Sequence, residues 1–323
     1  MTIDAGNVGT RMVVRYAVGG IGSGGGPLMS DVIGRILAVD DTAVAIERRD
    51  GSVVSVALDS IVITKVVPSL PTRSRNAHRI SAENHMRICT RGWPPVVSEP
   101  LGEWELRAAG GFTGRANSVA VHGDPGCPDD QALAAVVEFY RGQRLPARAQ
   151  VIVGSPWERV FLDAGWAVLA GVPDGAIVQA AQMADALAEA EASDDAEIVV
   201  ESTASDTWLR TYRRPQDPED PEIARAVLEG PHTVGFLSIG NHAIGRVVVT
   251  GEWAGISGVE VAPASRRQGL ARRIVDTGLR WAAERGADKA YLQTMRHNTG
   301  ALALYAPYGF RDHHEYRYLS PPR

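Results

Sequence analysis

The stretch VEVAPASRRQGLARR, residues 259–273, changes character twice within a few positions. Alternating valines closed by Pro263 read as the end of a strand. Ala264–Gln268 form a polar loop. From Gly269 to Arg285 the pattern predicts a helix, with Leu270, Ile274, Gly278 and Trp281 on one face and Arg272, Arg273, Asp276, Arg280 and Glu284 on the other. Gly286 stops it. A helix start presents unpaired N–H groups and a positive dipole end. A glycine there lets an anion approach the backbone, and Arg266, Arg267, Arg272 and Arg273 add donors and charge. Such a unit suits a diphosphate. It has neither the Gly-Lys-Ser/Thr ending of a P-loop nor the G-x-G-x-x-G dinucleotide fingerprint.

Downstream, Ala290–Met295 reads as a strand and Asn298 as the cap of a short helix running to about Ala306. Gly309-Phe310 then turn into a last strand, Arg311–Tyr318. Upstream, Thr233–Ile239, Ala243–Thr250 and Gly255–Val261 read as three strands, preceded by helices at Asp206–Arg213 and Pro221–Leu228 and a strand at Glu197–Ser202. The alanine-rich run 176–192 fits either one helix or a strand followed by a helix.

A fainter copy of the same order occupies 77–170: a helix at Ala82–Arg91, strands at Trp104–Ala109 and Ser118–His122, a helix at Asp129–Arg141, a strand at Ala149–Val153, a helix at Trp157–Asp163, and Gly165-Trp166 opening a strand. Its loop, Gly123-Asp124-Pro125-Gly126-Cys127-Pro128-Asp129-Asp130, differs from 266–271 in kind. Acids repel a phosphate, and prolines lack the N–H donors that would hold it. This copy therefore reads as a degenerate duplicate.

Residues 1–70 predict five short strands: Met12–Val18, Val32–Val39, Ala43–Arg48, Val53–Leu58 and Ile61–Val67. Five strands in so short a span fit a small SH3-like barrel. Gly19–Pro27 is glycine-rich, but a strand follows it, so it reads as a hairpin loop and not a phosphate loop. Residues 68–76 read as a linker. Three domains result: a barrel over 1–70, a degenerate α/β domain over 77–190 and a functional α/β domain over 197–323.

Arg266-x-x-Gly269-x-Ala271 after Val-x-Val-x-Pro resembles the acetyl-CoA loop of the GNAT N-acetyltransferase superfamily. Asn298-x₆-Tyr305-x₃-Gly309-Phe310 resembles that superfamily's second signature, at the right distance downstream. The whole arrangement resembles an actinobacterial tandem-GNAT group with an N-terminal SH3-like domain, some members of which are labelled N-acetylglutamate synthase. The fold implied is α/β (α+β) with a mixed central sheet.

The resemblance further implies acetyl-CoA as co-substrate and direct attack of a primary amine on its thioester. Backbone groups of Val259 and Val261 would pair with the pantetheine arm. The N–H groups of Arg267, Gln268, Gly269, Leu270, Ala271 and Arg272, beside Arg266, would surround the pyrophosphate. Asn298 would hydrogen-bond the cofactor, and Tyr305 would protonate the departing thiolate. Glu260 is the nearest carboxylate in sequence to the reaction centre, so it is the candidate base; strand alternation leaves open which face it takes. Arg115, Asn117 and Ser118 suit a carboxylate-bearing acceptor in a cleft between the copies. That acceptor would be a small amine, with L-glutamate motivated by the resemblance alone. A protein or peptide acceptor is the alternative within enzymes. A non-catalytic acyl-CoA-binding regulator is the alternative outside them, against which the intact Tyr305 argues.

Composition bounds the rest. The chain has 323 residues, a net charge of −5 and 45% hydrophobic residues. The acidic balance argues against a nucleic-acid partner. All the basic residues but Lys65 and Lys289 are arginines, so an arginine by itself carries little information. No stretch approaches the ~20 apolar residues of a membrane helix, and the N-terminus lacks a signal-peptide pattern; a cytoplasmic protein is expected, with a homodimer allowed. Cys89 and Cys127 lack metal-ligand spacing. His297, His313 and His314 read as surface residues, because neighbours on a strand point apart, and no metal is expected.

Overall fold

The computed structural model describes residues 3–21, 27–48, 51–67, 76–170, 175–191, 197–212 and 221–322. The chain forms two compact units, 1–75 and 76–323.

The N-terminal unit is one antiparallel sheet of β1 (Arg11–Ile21), β2 (Pro27–Val39), β3 (Ala43–Arg48), β4 (Val53–Ala57) and β5 (Ile61–Val66), in the order β4-β3-β2-β1-β5. Alternation delivers Met12, Val14, Val44 and Ile46 to one buried face. Strands β1 and β2 pair across the glycine-rich run; residues 22–26 of that run, and 68–75 of the expected linker, lie outside the described residues. Gly34 is the tight point. A Cβ there would lie 2.2 Å from the Glu47 carbonyl oxygen and 2.7 Å from Ile46 Cγ2. Gly34→Ala is therefore expected to cost this unit about 1–3 kcal/mol. Calorimetric unfolding of the full chain checks this, and an unshifted transition would contradict it.

The second unit opens with α1 (Ala82–Arg91), the hairpin β6 (Val97–Leu101) and β7 (Trp104–Ala108), then β8 (Val119–Ala120), α2 (Asp129–Gly142), β9 (Ala149–Ile152), α3 (Pro156–Asp163) and β10 (Ala167–Val168). The run 176–192, left open above, is a strand and then a helix: β11 (Ala176–Gln182) and α4 (Met183–Glu189). The chain continues through β12 (Ile198–Glu201), α5 (Asp206–Tyr212), α6 (Pro221–Glu229), β13 (Val234–Ile239), β14 (Ala243–Thr250) and β15 (Trp253–Val261). It closes with α7 (Leu270–Glu284), β16 (Lys289–Thr294), α8 (Thr299–Tyr305) and β17 (Arg311–Ser320).

One mixed sheet runs β12-β13-β14-β15-β16-β11-β17-β9-β8-β7-β6, with β10 paired to β17. The repeat is visible in the pairing: β8 lies parallel to β9 across α2, as β15 lies parallel to β16 across α7. The copies also interleave. β11, from the first copy, sits between β16 and β17 of the second, and β17 pairs with β9 of the first. Helix α7 buries Leu270, Ile274, Val275 and Leu279 against the sheet. It approaches so closely that a Cβ at Gly245 would lie 2.3 Å from Ile274 Cγ2.

A β-bulge in β17 overturns one expectation. Val178 pairs with His314 but the next residue, Gln179, pairs with Asp312, leaving His313 as the extra residue. A bulge places two successive side chains on one side. His313 and His314 consequently point together, their Nδ1 atoms 2.8 Å apart, and are not the outward-facing surface pair expected from plain alternation.

Candidate active site

Strand β15 carries the site because it leaves its neighbour partway along. Its parallel pairing with β16 runs from Trp253↔Lys289 to Ile256↔Leu292, while β15 itself continues to Val261. The cause is a bulge against β14. Arg246 pairs with Ser257 and Ile244 with Glu260, so Gly245 faces two residues, Gly258 and Val259. Gly258 adopts φ +61°, a conformation that favours glycine. Its position is packed by the rings of Trp208 and Tyr212. Past this point the strand edge facing β16 is free for an extended ligand.

The bulge also settles where Glu260 points. Ile256, Val259 and Val261 all pack with the α7 cluster, so alternation after Gly258 puts Glu260 on the opposite face, the face of Ser257. Without the extra residue it would have pointed toward α7.

The loop after β15 leads into α7 and is exposed there. Arg266, Arg267, Gln268 and Gly269 are all exposed. Arg267 has φ +64° and Gly269 φ +77°, so two left-handed residues turn the backbone just before α7. Helix α7 has no side-chain cap and no acid in its first turn, so its leading N–H groups have no built-in anion. Space above Gly269 is open, with nothing within 4 Å of a built Cβ. The matching helix of the first copy differs: Asp129 and Asp130 occupy the first turn of α2. The arginines on α7 are mostly engaged elsewhere. Arg272 bonds Glu189 at 2.6 Å and lies over the Tyr308 ring, while Arg273 bonds Glu197 at 2.8 Å. Arg272 can therefore serve an anion through its backbone N–H, not its guanidinium. The Arg266 Nε donates to the Val261 carbonyl at 3.3 Å, tying loop to strand end.

Asn298 caps α8, its side chain accepting from the Ala301 N–H at 3.1 Å. Tyr305, at the end of that helix, is buried in the same cluster as Ile256, Val259 and Val261, its ring 5.5 Å from Phe310. Burial pushes its phenol up, so it is protonated at neutral pH.

A narrow cleft lies on the other face of the splay, lined by Trp93, Arg115, Arg246, Ser257, Tyr291 and Gln293 among others. Among the described residues no carboxylate lines it. Arg246 is 1% exposed, and among the described residues its guanidinium donates only to neutral oxygens: the Leu228 carbonyl at 2.8 Å, the Gly92 carbonyl at 3.1 Å and Ser257 Oγ at 3.3 Å. Burial lowers its pKa to about 9. Arg115 stacks on Trp93, its guanidinium carbon 3.8 Å from the ring centroid, and forms no ion pair among the described residues. Tyr291 is wedged in place, since a Cβ at Gly92 would meet its hydroxyl at 2.3 Å and one at Gly255 at 2.5 Å.

Asn117 and Ser118, expected beside Arg115 as ligands of an acceptor, are occupied otherwise. The Asn117 carbonyl accepts from the Ala109 and Gly111 N–H groups, and its amide donates to the Phe112 and Thr113 carbonyls. Ser118 Oγ donates to the Gly114 carbonyl and accepts from Arg107. Both side chains are buried and hold the 109–118 loop, which presents Arg115. Arg246 and Trp93 escaped the sequence reading. A lone charge inside the otherwise apolar run Ala243–Thr250 was the readable signal for Arg246; Trp93 gave none.

A sheet splayed by a bulge, a helix start stripped of capping groups and a tyrosine beneath the opening define an acetyl-CoA-dependent acetyltransferase of the GNAT type. The chain belongs to the family described as "Probable histone acetyltransferase Rv0428c C-terminal", whose model matches residues 86–319. Residues 6–65 match the "Rv0428c N-terminal Sm-like domain", which specifies the small N-terminal β-domain. Over 328 aligned residues the chain is 29% identical to the probable histone acetyltransferase Rv0428c of Mycobacterium tuberculosis, covering 97% of this chain and 95% of that one. It is 26% identical to the uncharacterized N-acetyltransferase YobR of Bacillus subtilis, over 72% of this chain and 95% of the relative. The fold is shared with a GCN5-related N-acetyltransferase from Kribbella flavida, at a TM-score of 0.51 and 17% identity, over 76% of this chain and 96% of that one. Among the described residues no helix is long and apolar enough to cross a membrane.

Proposed function

We propose that the protein acetylates the primary amine of a small acceptor that carries a carboxylate, as a free amino acid such as L-glutamate does. The observation that carries this is the cleft around Arg246 and Arg115, lined by no carboxylate among the described residues. A buried guanidinium whose hydrogen-bond partners are all neutral is an uncompensated charge, and an anion placed beside it removes that penalty. Arg115 stands at the same cleft with no ion-pair partner among the described residues, and its planar fork matches a carboxylate.

On this reading acetyl-CoA lies on the α7 side. The backbone of Val259 and Val261 pairs with the pantetheine arm, and the N–H groups of 267–272 hold the pyrophosphate, with Asn298 as a further contact. The acceptor enters from the Trp93 side. Glu260, directly or through water, takes the proton from the ammonium. The amine nitrogen attacks the thioester carbonyl carbon, and a β15 backbone N–H stabilises the oxyanion. The C–S bond then breaks, and Tyr305 gives its proton to the leaving sulfur. The interleaved segment 77–190 supplies Trp93 and Arg115.

Arg115→Leu separates this reading from its rival. The KM for a carboxylate-bearing acceptor is expected to rise about 10- to 100-fold, as for a lost charge-assisted pair, while the affinity for acetyl-CoA stays within about twofold. An unchanged KM for such an acceptor contradicts the assignment. The relative named as a histone acetyltransferase favours a second reading, a protein lysine acceptor. That reading predicts turnover with a basic peptide and insensitivity to Arg115.

A further inference from the structure

Helix α1 buries a histidine whose ring has no hydrogen-bond partner. His85 is 0% exposed, and neither Nδ1 nor Nε2 is bonded. A buried imidazole loses its hydration, and native structures rarely leave both ring nitrogens unpaired without an unseen water or ion. The His314 Nε2 is orphaned and buried in the same way. The two rings are 5.6 Å apart by centroid, and the His313 ring is 4.7 Å from His85. One nitrogen from each of His85, His313 and His314 lies within 4.8 Å of the other two.

We propose that His85, His313 and His314 form a binding site for a divalent transition-metal ion of the Zn²⁺ class. Three features of the geometry support this. The β17 bulge that turns His313 and His314 to one side is the local device that makes adjacent strand residues converge. His313 Nε2 donates to the Ile80 carbonyl at 3.0 Å, which makes its Nδ1 the lone-pair atom; that atom accepts from His314 Nδ1 at 2.8 Å, a bond an ion would replace. Backbone carbonyls orient metal-binding imidazoles in just this way. His85 is held from behind by Trp253, 4.4 Å away by ring centroid.

An all-imidazole donor set selects zinc and its neighbours over calcium or magnesium. Tetrahedral coordination needs donor nitrogens about 3.4 Å apart, so small ring rotations inward complete the site. Three ligands leave the fourth position to water. The ion would tie α1 of the first copy to β17 of the second, the same junction at which the copies interleave. None of the three histidines lines the Arg115–Arg246 cleft, although His85 packs edge-on to Tyr291, which does, at 5.5 Å by ring centroid.

The test is a titration of the untagged full chain, freed of metal with a chelator, with Co²⁺ and then Zn²⁺. The expected result is one equivalent of Co²⁺ giving the visible absorption of a low-coordinate nitrogen site. One equivalent of Zn²⁺ should displace it, and Zn²⁺ should raise the Tm. His85→Phe, which keeps a ring against Trp253, is expected to weaken binding more than about 100-fold. His314→Gln provides a second variant should the first fold poorly, and circular dichroism verifies each. Failure of the wild-type chain to take up a stoichiometric ion overturns the proposal. So does uptake that survives in both folded variants, which would place the ion elsewhere.

Discussion

Tyr305→Phe is expected to lower kcat by about 100-fold or more, the scale of a lost general acid, with the Kd for acetyl-CoA within about twofold of wild type. The separation follows from where the hydroxyl sits. The ring packs against Phe310 and the β15 cluster, contacts that phenylalanine keeps. The hydroxyl makes no hydrogen bond among the described residues, so removing it leaves no partner stranded. Burial keeps the phenol protonated, the form an acid must start from. The departing CoA sulfur is the only group in the proposed reaction that needs a proton at that place. Stopped-flow turnover and isothermal titration measure the two quantities separately. An unchanged kcat would remove Tyr305 from the chemistry and leave it as a core residue.

Gly269→Glu is expected to reduce acetyl-CoA affinity by at least about 100-fold while the protein stays folded. Two effects combine. The position has φ +77°, which costs a residue with a Cβ about 1–2 kcal/mol. A carboxylate at the start of α7 partly offsets that loss, because it complements the helix dipole. The same carboxylate would occupy the place proposed for the pyrophosphate. Repulsion between unit charges about 4 Å apart lies between ~1 and ~4 kcal/mol as the effective dielectric falls from water to that of a protein surface. Gly269→Ala isolates the backbone term and should lose much less. Equal affinities for the glutamate variant and the wild type would disprove the loop's role. A large loss in the alanine variant alone would show that geometry, not charge, dominates.

The two α/β copies were legible to differing depths, for physical reasons. Helix α1 has the expected bounds, and the structure shows Ser81 capping its start and Gly92 at its end. The unit 259–285 was readable because strand, loop and helix each carry their own signal. Strand β6 was not. It holds Pro100, which usually argues against a strand and is tolerated here because β6 is the sheet edge. β11 was ambiguous because it is buried on both faces, so apolar residues run on without alternation. Its insertion between β16 and β17 is a long-range pairing that no local pattern records.

At the candidate site, residues marked by local spacing were legible and those placed by long-range packing were not. Gly269, Asn298 and Tyr305 stand at spacings that sequence displays directly. Arg115 was readable as a charge in a glycine-rich loop, but its companions Asn117 and Ser118 were misassigned. Whether an amide faces a ligand or its own loop depends on closure of the turn at 109–118. The convergence of His313 and His314 was invisible for a similar reason. A bulge is a property of two strands, and alternation read on one strand misses it.

The most direct measurement is release of CoA thiol from acetyl-CoA against matched acceptors: L-glutamate and other free amino acids, the same compounds with the carboxylates amidated, polyamines, and short lysine-bearing peptides. Release that depends on a free amino acid and collapses when its carboxylate is capped is the result predicted by the Arg115–Arg246 cleft. Release with polyamines or basic peptides, and none with carboxylate-bearing amines, would contradict it.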